Sequence, residues 1–148
     1  MARGDFVKFE EFSKSLGDGD HDLGSDTFAL ILITTLPTAA DATPDRADYT
    51  ECSAGGSYST GGIVLTGVTY TEAGGVSTFD STLDLAWAQA ASSPTNVVAG
   101  LLVNNTHAGS NDAIGFIDIT VDGGSTPVSM VDNPINVTWN ASGILTVT

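Results

Sequence analysis

The stretch IVLTGVTYTEAGGVSTFDSTLDLAWAQ, residues 63–89, carries the pattern that decides the fold class. Its β-branched run from Ile63 to Thr71 is separated from Val76–Phe79 by Gly74-Gly75, which reads as a hairpin. In TLDLAWAQ (82–89), Leu83, Leu85 and Trp87 face one way and Asp84, Ala86 and Ala88 the other, the period of two of a strand with one buried face. INVTW (135–139) repeats the logic, with Ile135, Val137 and Trp139 inward and Asn136 and Thr138 outward. Farther out, TFALILITT (27–35) is a continuous apolar run short enough for a buried strand, and its β-branched ending favours strand over helix. VVAGLLVN (97–104) and AIGFIDITV (113–121) read as fully buried strands, and GILTVT closes the chain on another. About nine or ten strands at this spacing suit a sandwich or barrel. No βαβ spacing is present, so a doubly wound parallel sheet is not expected.

The N-terminus follows a different period. In DFVKFEEFSKSL (5–16), Phe6, Phe9, Ser13 and Leu16 lie near one helical stripe with Phe12 beside it, while Lys8, Glu10, Glu11 and Lys14 fall mostly away. This predicts a short amphipathic helix stopped by Gly17. The organisation expected is a single domain: residues 1–24 form the helix and an acidic connection, and residues 25–148 form the β-domain. The fold class expected is all-β, an antiparallel β-sandwich of jelly-roll type with one short N-terminal α-helix.

Charge excludes several functions. The 148-residue chain has 18 Asp and Glu against four cations, Arg3, Lys8, Lys14 and Arg46, for a net charge of -14. Residues 47–148 contain no Lys or Arg. Nucleic-acid backbones, anionic membranes and phosphate substrates all require cations that this chain lacks. With 41% hydrophobic and 15% charged residues, the composition is that of a folded domain. No stretch approaches the roughly 20 apolar residues of a membrane helix. The first residues do not read as a secretory signal, and the single Cys52 forms no internal disulfide, so a cytoplasmic origin is expected. The sequons at Asn104, Asn136 and Asn140 are what a Thr/Asn-rich β protein produces by chance.

Few residues suggest chemistry. Asp18, Asp20 and Asp22 match the opening of a calcium loop, but the sixth and twelfth positions are Leu23 and Ala29 instead of Gly and Glu. A solvated helix-to-strand connection is the preferred reading, and no metal or cofactor is expected. His21 and His107 lie far apart in sequence with no second ligand at metal spacing. Gly55-Gly56-Ser57-Tyr58-Ser59 falls short of a nucleophile elbow. Cys52 has no neighbouring cation or histidine to activate it. Trp87 and Trp139 sit among aliphatic neighbours at alternating positions and are read as core. An enzyme is not expected.

The opening MARGDFVKFEEFSKSLGDGDHDLGSDTFALILIT resembles a group of small tailed-bacteriophage virion proteins. The shared features are an F-x-x-F segment, a His-Asp-Leu connection (His21 to Asp26) and a strand of L-x-L-x-T type. LLVNNTHAGSNDAIGFIDI and INVTWNASGILTVT resemble the strand–loop–strand and closing hairpin of the same group. The middle, residues 36–82, matches only in its Thr/Gly-rich strands. The resemblance implies a capsid decoration, or cement, protein on the outer face of the phage head, assembled in the host cytoplasm. Its partners would be the major capsid protein and copies of itself, with no nucleic acid and no membrane. The competing reading is a tail-associated sandwich that recognises host glycan. The candidate interface is Arg3, Phe6, Lys8, Phe9, Phe12 and Leu16, an apolar stripe larger than one short helix is expected to hide; alternatively, the stripe caps its own sandwich.

Overall fold

The computed structural model describes residues 5–107 and 109–148. Ten strands, one α-helix and one 3-10 turn are found there, and every strand pairing is antiparallel. The strands are β1 (Phe6–Lys8), β2 (Phe28–Ile33), β3 (Ile63–Val64), β4 (Val68–Ala73), β5 (Val76–Ser81) and β6 (Leu85–Trp87), followed by β7 (Ala99–Asn104), β8 (Ala113–Asp118), β9 (Ile135–Val137) and β10 (Leu145–Val147). They form a five-stranded sheet ordered β1-β8-β7-β2-β3, a three-stranded sheet ordered β10-β5-β4, and the pair β6-β9. The fold is all-β and sandwich-like, as the alternating strands predict.

β2 explains why its sequence does not alternate. Phe28, Leu30 and Leu32 enter a core with Phe79, Leu85, Trp87, Ile135 and Val137 from the smaller sheets. Ala29, Ile31 and Ile33 enter a second core on the opposite face, with Phe9, Leu101 and Phe116. Leu36 and Tyr49, from the segment that follows β2, pack over that second face. A strand buried on both faces is apolar at every position.

The β4–β5 hairpin closes Ala73 on Val76 through Gly74 and Gly75, with φ of 62° and 86°. Two successive positive φ values are what a type I′ hairpin turn requires. The run 63–71 is not one strand, however. β3 pairs with β2 in the large sheet, whereas β4 pairs with β5 in the small one. The chain changes sheet at Gly67, where φ is 62°.

The N-terminal helix is shorter than the spacing predicts and starts later. The α-helix α1 spans Phe12–Asp18, and Phe6–Lys8 is a strand paired with Gly115–Ile117. The stop lies at Gly19, left-handed at φ 87°, whose N–H reaches the carbonyls of Leu16 and Ser15, and not at Gly17. A seven-residue helix has little stability alone. The free edge of β8 pairs with Phe6–Lys8 and accepts from the Phe9 N–H through the Ile114 carbonyl, and this tertiary pairing overrides the helical spacing.

Candidate interaction surface

Two aromatics of the expected stripe, Phe9 and Phe12, are buried in the protein's own cores. Phe9 is fully buried in the second core, 5.4 Å from the Phe116 ring and 6.3 Å from Tyr49. Phe12 is 1% exposed in the first core and stacks on His21 at 5.7 Å. The two rings leave on opposite sides of the large sheet because residues 6–9 run as strand and turn. Each contributes roughly 1.5–3 kcal/mol to its own domain. Phe6 and Leu16 are half-buried and pack on the first core. Lys8 lies with its Nζ 5.9 Å from the Phe12 ring centroid. Arg3 lies outside the described residues. Within the described part of the stripe, Phe6, Lys8 and Leu16 are partly exposed.

The acidic connection satisfies itself. Asp18 pairs with Lys14 at 2.6 Å, and Asp22 accepts from the Gly24 N–H at 2.9 Å. The Ser25 hydroxyl and then the Gly24 amide hold the Asp22 carboxyl below its ordinary range. Among the described residues, no three His, Cys, Asp or Glu side chains converge as a metal site.

The structure brings together residues that the sequence keeps apart. Asn104, wholly buried at the end of β7, donates one amide hydrogen to Asp26 Oδ2 at 2.7 Å. Its other hydrogen goes to His21 Nδ1 at 3.1 Å. Its Oδ1 accepts from the N–H groups of Thr106 and His107 at 2.8 and 3.1 Å. His21 and His107 therefore meet edge to face, with ring centroids 5.8 Å apart. Because Nδ1 accepts, the neutral His21 carries its proton on Nε2, a buried atom without a partner. Burial, with His107 second, pushes the His21 pKa down, against the opposing pull of Asp20, Asp26 and Asp112.

Arg46 extends this network. Its Nε donates to buried Asp112, and its guanidinium reaches the Asn104 carbonyl at 3.1 Å and Asn105 Oδ1 at 2.9 Å. The backbone N–H of Arg46 also donates to Asp112, at 2.7 Å. Arg46 is thus a structural cation that ties the segment after β2 to the ends of β7 and β8. The signal lay in its isolation, since a sole cation with 102 cation-free residues behind it has many carboxylates to choose from. Elsewhere, the buried Tyr58 hydroxyl donates to Glu51 at 2.6 Å and accepts from the Leu32 N–H at 3.0 Å. Burial pushes the Cys52 thiol up to about 11, so it is no nucleophile at neutral pH.

Exposed apolar side chains are scattered: Val7, Val64, Tyr70, Val76 and Val121. A cleft of about 550 Å³ lies between the start of β1 and the residues from Thr138 into β10. Trp139 lies in its wall, 9% exposed, and its Nε1 donates to the Leu83 carbonyl at 2.9 Å. Comparison with protein-family models, curated proteins and solved structures found no match for this chain.

Proposed function

We propose that this chain is a structural virion protein that decorates and stabilises a bacteriophage capsid by binding capsid subunits, copies of itself, or both. One observation carries the reading: the segments that bear the family resemblance close on one another. The F-x-x-F segment pairs with Gly115–Ile117 of the IGFID strand. His21 and Asp26 of the His-Asp-Leu connection meet at Asn104 of the LLVNN strand. The resembling residues thus build a lock that stiffens a β-domain. A decoration protein asks for that rigidity and for no reacting group.

Glycan recognition on a tail asks for aromatic faces open to a sugar. Trp87 and Trp139 are both buried, which weighs against it. The acidic surface favours a basic patch on the capsid partner. Added to purified heads that lack it, the protein is expected to sediment with them at a saturable stoichiometry and to raise their temperature of DNA release. Binding to tails alone, or retention on host glycans without head binding, overturns the proposal.

A further inference from the structure

We propose that the cleft between β1 and β10 is an acceptor site for an extended, Lys- or Arg-bearing strand of a partner protein. β1 and β10 are the outer strands of different sheets, each hydrogen-bonded on one side only among the described residues. Phe9 N–H donates to the Ile114 carbonyl, so in this antiparallel ladder Val7 also bonds inward to Phe116. The N–H and C=O groups of Phe6 and Lys8 consequently point away from β8, toward the free edge. β1 is three residues long and ends in Lys8, and no proline or bulge interrupts its outer edge.

The cleft has an apolar floor of Phe6, Ile117, Ile144 and Leu145 and a polar rim that includes Asp5, Asn140, Ser142 and Thr146. Its volume falls within the range of sites that enclose a ligand. Open strand edges select an occupant that supplies backbone donors and acceptors at strand spacing, which is an extended peptide. Asp5 is the only charged side chain of the lining among the described residues, on a molecule of net charge -14, so the added strand carries cations. A second copy brings the same negative charge and meets repulsion. Trp139 is 9% exposed and commits its N–H to the Leu83 carbonyl, which leaves little of it for a sugar. The site deepens the decoration reading by naming where a capsid subunit is held.

The test selects nonapeptides from a ribosome-displayed random library on the full chain. Enriched peptides are then titrated into isotopically labelled protein. Peptides rich in β-formers and Lys or Arg are expected, with saturable amide shifts and exchange protection at Phe6, Lys8 and Leu145–Val147. Methylating alternate peptide nitrogens should abolish binding. Asp5→Lys should weaken cationic peptides roughly 2–5-fold, as loss of a rim charge pair does. Ser142→Trp, on the exposed rim, should weaken all of them more than about tenfold. No enrichment, shifts confined to another face, undiminished binding of methylated peptides, displacement by a sugar, or self-association through this edge overturns the proposal. Head binding that survives Ser142→Trp removes the cleft and leaves decoration standing. Peptide binding without head binding does the reverse.

Discussion

Replacing Asn104 by alanine removes two donors and a doubly used acceptor, leaving Asp26, His21 and the Thr106 and His107 amides without that partner. The unfolding free energy should fall by about 2–3 kcal/mol, read as a lower denaturation midpoint at unchanged slope. His21 adds a pH dependence. Its folded pKa lies below the ordinary 6.5 because burial and the His107 ring disfavour the charged form. The unfolded chain therefore binds a proton that the folded chain refuses, and stability declines as pH falls below 6.5, toward the depressed folded value. Carboxylates act in a separate, lower window. Hydrogen bonds from Ser25, Thr38 and Thr126, respectively, hold Asp22, Asp41 and Asp122 below 3.8, so their contributions persist above that pH and are lost beneath it. Denaturation midpoints across pH should show two descents, and His21→Gln should flatten only the upper one. An unchanged upper descent would remove His21 as its cause.

β1 depends on one glycine. A methyl group at Gly115 would overlap Phe6 Cζ and the Val7 carbonyl oxygen, so Gly115→Ala should push β1 from β8. A loss of about 1–3 kcal/mol is expected, with faster exchange of the Val7 and Phe9 amides ahead of the rest. β2, β6, β7, β8 and β9 were legible because burial alone dictates their patterns: continuous where both faces are covered, alternating where one is. The N-terminal segment was misread for a specific reason. Aromatics three residues apart fit a helical stripe, and they equally fit a strand followed by a turn, which sends Phe9 and Phe12 to opposite cores. The split of run 63–71 at Gly67 was hidden for a related reason, since glycine inside a β pattern marks a bend without naming the sheet that follows it.

On the scale of the whole molecule, 18 acidic against four basic residues produce net self-repulsion in the compact state. Screening lengths shrink to about 3 Å at 1 M salt, so the melting temperature should rise steadily from low salt to molar sodium chloride. A fall would mean that the Arg46–Asp112 and Lys14–Asp18 pairs outweigh the global repulsion. Distance in sequence also explains what stayed hidden. The cleft joins Asp5 and Phe6 to Ile117 and to residues 138–140 and 142–146, and the lock joins His21 and Asp26 to Asn104 and Arg46 to Asp112. Patterning within a segment reports which face is buried, and it carries no information about which distant segment supplies the cover.

The Arg46 clamp also makes the protein its own opening gauge. Trypsin hydrolyses only after Lys or Arg, and beyond Lys14 the chain offers it the single bond Arg46–Ala47. To enter the protease, Arg46 must release Asp112, Asn104 and Asn105 together. The rate at which a 102-residue fragment, residues 47–148, accumulates under native conditions therefore measures how often this corner unlatches. Asp112→Asn should speed that cleavage well before the global melting temperature moves. Equal rates in the two proteins would show that the bond is cut from an already open loop.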